Sequence, residues 1–103
     1  MIKITATRNN GKIVNLTVKG HANSAPHGED LVCAAVSSIL VGGCNALENT
    51  NCFAIKLNEG DASVVEISHA IEHDYEVLEV MLVQFKSVEE TSSKFLRVIE
   101  KGN

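Results

Sequence analysis

Hydrophobic and polar residues alternate at the start of the chain. The apolar positions recur at every second residue from Ile2 to Ala6 and again from Val14 to Val18. This two-residue period is typical of half-buried strands, because successive side chains point to opposite faces of a sheet. The segment Asn9–Lys12 between them contains an Asn-Gly pair and is a turn signal. Residues 2–20 are therefore predicted to form a β-hairpin.

The rest of the pattern predicts two helices and up to three further strands. Asp30 is a good helix-start residue and opens a helix of about 18 residues that is apolar almost all round. Such a helix is usually buried on most sides, by a sheet and by a further surface that, in so short a chain, can belong to a second subunit. The later elements are strands over Phe53–Leu57 and Val65–Ile67, a helix over residues 74–90 and a final strand over Phe95–Ile99.

The element order ββαββα(β) predicts the fold class. It is typical of an α+β fold, with two helices packed on a mostly antiparallel sheet of four to five strands. At 103 residues the chain is expected to be a single domain, residues 1–103, with one modest core. Its longest apolar stretch, Leu31–Leu47, is shorter than the roughly 20 residues that span a bilayer, and no signal peptide is apparent. A cytoplasmic protein without a membrane partner is therefore expected.

Composition narrows the classes of function. Aromatic residues make up only 4% of the chain, which argues against a stacking platform for single-stranded nucleic acid. The net charge of −4 argues against a basic surface that binds phosphate backbones, so no nucleic-acid partner is expected. Three cysteines without a signal peptide indicate reduced thiols rather than a disulfide framework.

The clearest chemistry lies between the hairpin and the first helix. His21 ends the second strand, and Cys33 follows 12 residues later. With Asp30 as the N-cap, Cys33 falls in the first helical turn, where unpaired backbone N–H groups and the helix dipole favour a thiolate. His21 reaches Cys33 if residues 21–29 form a loop that folds back. The pair then predicts nucleophilic catalysis, with Cys33 as nucleophile and His21 as general base and then general acid.

Other interpretations of these residue types compete with a catalytic pair. Free cysteines are often buried packing residues, which is the simplest interpretation of Cys44 and Cys52 and an alternative for Cys33. His21, His27 and Cys33 lie six residues apart and are ligand types that zinc accepts, but the usual tight ligand spacing is missing. We therefore expect no metal and no other cofactor.

Two further features have simple structural explanations. His69 and His73 are expected to face solvent or cap the second helix rather than form a site. The pair Gly42-Gly43 in the first helix permits close packing against another backbone, and a contact between two subunits is the preferred explanation.

The sequence around His21 and Cys33 resembles the signature of the ribosomal-processing cysteine protease family. The resemblance extends over essentially the whole chain, including the leading hairpin and the second helix. The residues that carry it are Gly20-His21-Ala22, Gly28, Asp30, Val32-Cys33-Ala34-Ala35, Ser37, Gly42 and Asn45-Ala46.

This resemblance implies a small homodimeric α+β cysteine endopeptidase. Its substrate would be ribosomal protein twenty-seven of the large subunit, from which the family removes an N-terminal extension after a hydrophobic, Phe-rich motif. His21 and Cys33 match the catalytic pair, and Asp30 and Ser37 match motif positions with possible supporting roles. The segment that matches the family's mobile substrate-binding loop comprises Ala22, Asn23, Ser24, Ala25, Pro26, His27 and Gly28.

A non-enzymatic binding module is the rival hypothesis. Such a module would hold a ribosomal protein or an assembly intermediate in the groove that binds the substrate of an enzyme, and Cys33 would be a packing residue. The two hypotheses differ in one property, since only an enzyme requires Cys33 to be partly exposed and unusually reactive near neutral pH.

Overall fold

The structure, a computed structural model, describes the backbone of residues 1–21 and 26–103 and the side chains of residues 1–21 and 31–103. It contains five strands, two long helices and one short 3-10 turn, Thr50–Cys52. The long elements, in chain order, are β1 (Ile2–Asn9), β2 (Lys12–Lys19), α1 (Pro26–Ala46), β3 (Phe53–Asn58), β4 (Asp61–Glu66), α2 (Glu72–Ser92) and β5 (Leu96–Gly102).

The five strands form one mixed sheet in the order β3-β4-β2-β1-β5. Three neighbouring pairs are antiparallel, and β1 pairs with β5 in parallel. The predicted fold class is confirmed, including the fifth strand, and the sheet is mostly antiparallel as expected. The predicted hairpin of residues 2–20 is also confirmed, with its turn at Asn10 and Gly11, both at positive φ.

The core lies between one face of the sheet and both helices. Ile2, Ile4 and Ala6 alternate along β1 and are buried, because the two-residue period places all three on the inner face. The inner residues of β2 and β4 join them in a single hydrophobic cluster with the buried side chains of α1 and α2. Phe85 of α2 is completely buried in this cluster. The opposite face of the sheet carries mainly Thr, Ser, Asn and Lys side chains.

The start of α1 differs from the prediction. The helix begins at Pro26, so Asp30 is its fifth residue and not its N-cap, and Cys33 is the eighth. Proline suits the first turn of a helix, because its fixed φ is helical and the missing N–H has no intrahelical partner there. The predicted loop is therefore wrong for residues 26–29. The loop predicted for residues 22–25 lies outside the described residues.

Cys33 does not lie in the first turn of α1, where the sequence pattern placed it. The helix dipole acts mainly within the first turn, and Cys33 lies beyond it. An increased reactivity of the Cys33 thiol would therefore have to come from neighbouring side chains and not from the start of the helix. The second helix is also longer than predicted, since it spans Glu72–Ser92 instead of residues 74–90.

Candidate active site

Cys33 lies in the wall of a groove between α1 and the end of the β3–β4 hairpin. The cavity in this groove has a volume of about 390 Å³. One side of α1 forms one wall, because helical periodicity places Cys33, Ser37 and Leu40 on the same side. The hairpin segment from Leu57 to Ala62 forms the opposite wall, and residues of β1 and β2 line the cavity between them.

The position of Cys33 suits a reactive thiol. The side chain is only partly buried, it is a free thiol, and it packs against the edge of the hydrophobic core. Ser37, one helical turn further on, is exposed and lines the same cavity. The structure thus places Cys33 and Ser37 at one groove. The side chain of Asp30 lies outside the described part of the chain.

The backbone of Gly20 and His21 is held by contacts with Met1 and Gly60. His21 directly follows Gly20, which has a φ of +94°. A Cβ atom on Gly20 would lie 2.5 Å from the carbonyl oxygen of Met1, so this position accepts only glycine. The nitrogen of Met1 donates a hydrogen bond to the His21 carbonyl at 2.5 Å, and Gly20 donates to the Gly60 carbonyl at 3.0 Å. The exposed His21 side chain therefore starts from a well-determined backbone.

His21 lies beside the groove wall that the β3–β4 turn forms. The imidazole packs beside Gly60 in this turn, and Gly60 and Gly20 both line the cavity that Cys33 lines. Within the described part of the chain, no hydrogen bond joins the imidazole to the thiol. The structure therefore places His21 next to the groove that contains Cys33, and the catalytic pairing of the two side chains stays a prediction.

A carboxylate that sequence reasoning missed stabilises the same end of the groove. Asp61 accepts hydrogen bonds from Lys19 of β2 and from Lys56 of β3, the latter at 2.8 Å. These two ammonium groups lower the pKa of Asp61 to about 2. The paired positions of Lys19 and Asp61 in the antiparallel register bring them together next to Gly20 and Gly60. A sequence signal existed in the Gly60-Asp61 turn, but Lys19, one of the two partners of Asp61, lies 42 residues away in the chain.

The remaining cysteines lie away from the groove. Cys44 and Cys52 are buried, as predicted for packing residues. Burial raises the pKa of the Cys44 thiol, which disfavours the reactive thiolate. The Cys52 thiol donates to the carbonyl oxygen of His69 at 3.6 Å. Of the three thiols, Cys33 is therefore the one with access to a substrate.

The two distal histidines behave as the sequence predicted. Both His69 and His73 are exposed, next to the start of α2. His73 Nδ1 lies 2.9 Å from the Asp74 carboxylate, and this hydrogen bond, with the nearby Glu48 and Asp74 charges, raises the pKa of His73. His69 contacts the ring of Tyr75 edge-on.

The glycine pair in α1 has a contact within the chain itself. A Cβ on Gly43 would overlap the side chain of Met81 in α2, whereas a Cβ on Gly42 would meet nothing within 4 Å. Gly43 thus packs closely against a side chain of the second helix, and the contact between two subunits expected for this pair stays a prediction.

Among the side chains that the structure describes, no group of three His, Cys, Asp or Glu residues is arranged to hold a metal ion. The side chain of His27, needed for the alternative zinc site, is outside that part. Neither helix, over the residues described, is long and apolar enough to cross a membrane.

Comparison with known proteins identifies relatives along the whole chain. A family model described as cysteine protease Prp matches residues 1–97. The ribosomal processing cysteine protease Prp of Staphylococcus aureus (strain Mu50) is 27% identical over 95% of this chain and 97% of its own length. The protein of the same name from Bacillus subtilis (strain 168) is 46% identical over a shorter match, which covers 46% of this chain and 43% of the relative.

A solved structure shares the fold. The crystal structure of an essential ribosomal processing protease Prp from S. aureus, in complex with a covalently linked product peptide, superposes with a TM-score of 0.83. The two sequences are 26% identical, and the match covers 98% of this chain and 100% of that chain.

Proposed function

The chain belongs to the cysteine protease Prp family, and on that premise we propose that Cys33 is its nucleophile and His21 its general base and acid. The class of enzyme, a cysteine protease, follows from the family. One observation carries the assignment of residues. The accessible Cys33 thiol lines a cavity of about 390 Å³, His21 packs beside Gly60 in the lining of that cavity, and the other two cysteines are buried.

The proposed reaction uses these two side chains in turn. His21 takes the proton of the Cys33 thiol, and the thiolate sulfur attacks the scissile carbonyl carbon to form a tetrahedral oxyanion. When this collapses to a thioester, the C–N bond breaks and His21 gives the proton to the leaving amine. His21 then deprotonates a water molecule, which attacks the thioester and releases the carboxylate product and the free thiol.

We propose that the substrate is the N-terminal extension of ribosomal protein twenty-seven of the large subunit. Relatives named for ribosomal processing support this substrate class. The groove itself supports an apolar peptide segment, because Leu40, Val41 and Leu57 line it and Val41 and Leu57 are about half exposed. The net charge of −4 favours a basic protein substrate over a long range.

The finer features of this proposal concern the residues around the pair and the assembly. Asp30 and Ser37 would support catalysis or substrate binding, and the segment Ala22–Gly28 would cover the bound peptide. Residues 1–103 would act as one protease domain without metal or cofactor, in the cytoplasm where ribosomes assemble. A homodimer is supported by Val80 and Val83, which leave apolar surface exposed on the outer side of α2.

Mass spectrometry of a cleavage reaction tests this function directly. The protein is mixed with the full-length, extended ribosomal protein, with Cys33→Ser in parallel. We expect the native sequence alone to release a defined N-terminal peptide, because the serine hydroxyl is a far weaker nucleophile. The matched control is Cys44→Ala, which changes a buried thiol outside the groove and should still cleave.

The outcomes separate the enzyme from a binding module. Cleavage lost in Cys33→Ser and retained in Cys44→Ala supports the proposed nucleophile. If Cys33→Ser cleaves as well as the native sequence, Cys33 is not the nucleophile. If the native protein binds a substrate confirmed to carry the extension but does not cleave it, the result favours the binding module and contradicts the proposed processing of this substrate.

A further inference from the structure

The β3–β4 turn contacts the imidazole that the proposed mechanism uses. A Cβ atom built on Gly60 would lie 2.5 Å from Nε2 of His21, 2.7 Å from Cε1 and 3.3 Å from Cδ2. Real Cβ atoms do not approach ring atoms so closely, because carbon contacts are optimal at roughly 3.5–4.0 Å. The space that a side chain would fill at position 60 is thus already occupied by His21.

The turn is also attached to the backbone that carries His21. The Gly20 N–H donates to the Gly60 carbonyl at 3.0 Å, directly before His21. Lys19, which precedes Gly20, forms an ion pair with Asp61, which follows Gly60. Lys56 of β3 binds the same carboxylate. The backbone before His21 and the turn against which its ring packs are therefore joined by one hydrogen bond and one ion pair, and the Lys56–Asp61 pair joins the two strands of the hairpin itself.

We propose that Gly60 is a positioning residue for His21. Because glycine has no side chain, the imidazole rests directly against the turn, whose residues line the groove that Cys33 also lines. A side chain at position 60 would push the ring away by about 1 Å, a displacement that can cost an enzyme on the order of 100-fold in rate. This inference rests on the proposed role of His21, and it assigns a function to a residue outside the His–Cys motif.

Two effects of a substitution at position 60 must be distinguished. Gly60 has a φ of +72°, so any other residue strains the turn in addition to displacing the ring. Gly11 provides a matched control, because it has a φ of +79° in the other hairpin turn and a Cβ there would meet nothing within 4 Å. Asparagine, which tolerates the left-handed region better than alanine, reduces the strain but keeps the Cβ atom.

The first experiment compares Gly60→Ala and Gly60→Asn with Gly11→Ala and Gly11→Asn. We expect both Gly60 variants to lose on the order of 100-fold in kcat with little change in KM, since the ring is displaced and the peptide groove remains. The pH dependence of kcat/KM should also shift in these variants, because the base changes its surroundings. Both Gly11 variants should keep native turnover and the native pH profile.

A double-mutant cycle tests whether Gly60 acts through His21. The readout is the rate of Cys33 alkylation by iodoacetamide as a function of pH, located by peptide mapping, so that residual proteolysis is not required. Gly60→Ala should alter this profile in the native background and have no further effect in His21→Ala. An equal effect in both backgrounds would assign Gly60 a purely structural role and overturn the inference.

The outcomes also separate this inference from the proposed catalytic pair. Native turnover in His21→Ala would exclude His21 as the general base and so contradict the proposed catalytic pair. Loss of turnover in His21→Ala, together with identical behaviour of the Gly60 and Gly11 variants, would remove only the role of Gly60.

If the Gly60 variants do not fold, the native protein still provides a test. Nuclear Overhauser contacts are expected between the Gly60 Hα protons and the His21 ring protons, and their absence would overturn the inference.

Discussion

At the scale of single residues, Asp74 shows how a buried charge is held. Its side chain is fully buried at the start of α2. The carboxylate accepts hydrogen bonds from the backbone N–H groups of Glu48 and Asn49, at 2.8 and 2.9 Å, and contacts His73. Burial raises the pKa of Asp74, but these three hydrogen bonds outweigh it and the pKa is lowered. Asp74 thus attaches the chain segment after α1 to the first turn of α2.

We predict that Asp74→Asn destabilises the protein at neutral pH by about 2–3 kcal/mol, because one buried N–H then loses its charged acceptor. A group whose pKa is lowered by folding stabilises the native state above its unfolded value of about 3.9. The difference between native and variant should therefore decrease as the pH falls below about 4. Urea unfolding at pH 7 and at lower pH measures both effects.

Asp61→Asn is the matched control for this prediction. Its carboxylate also has a lowered pKa, of about 2, but its ion pairs with two lysines are exposed. Exposed ion pairs contribute little to stability, so the loss at pH 7 should be clearly smaller than for Asp74→Asn. Equal losses in the two variants would contradict the role given to the buried carboxylate.

At the scale of elements, periodicity predicted the architecture but not every boundary, and the fourth strand spans Asp61–Glu66 instead of Val65–Ile67. Alternation from Ile2 to Ala6 and helical spacing in α2 are local signals, and both elements are observed. The start of α1 could not be fixed by pattern, because Pro26 is compatible with a loop and with a first helical turn. The contact between His21 and Gly60 joins residues far apart in the chain, and no local signal carries it.

Two adjacent glycines of α1, close to where it packs on α2, should respond differently to substitution by alanine. Gly42→Ala should stabilise the protein by roughly 0.5–1 kcal/mol, because alanine favours the helix and its methyl group meets nothing. Gly43→Ala should destabilise it by about 1–3 kcal/mol, because its methyl group overlaps the Met81 side chain. Urea denaturation of the two variants provides the comparison.

A second change shows whether Met81 causes the difference. In a Met81→Ala background, the space beside Gly43 is vacated, so Gly43→Ala should no longer be destabilising. If Gly43→Ala remains as unfavourable in that background, the overlap with Met81 is not its cause.

At the scale of the whole molecule, charge and groove act on different parts of a substrate. The net charge of −4 acts over a distance of about a Debye length, whereas the groove acts only on contact. If the proposed substrate is right, we predict that kcat/KM for this basic ribosomal protein falls as ionic strength rises from about 10 mM to 0.3 M. A short peptide with the same cleavage sequence and no net charge should show little change. Equal salt dependence of the two substrates would exclude long-range attraction.

The parallel pairing of β1 with β5 has a consequence for biosynthesis. Ile2, at the base of the groove, lies opposite Leu96, and its N–H donates to the Phe95 carbonyl at 2.7 Å. Contacts between such distant segments form late and slow folding. Since a ribosome adds residues from the amino end, β1 lacks β5, one of its two neighbours in the sheet, until residues 96–102 have left the exit tunnel. Ile2 therefore gains its second strand partner only after β5 has been made, so the nascent protein has no finished groove before then.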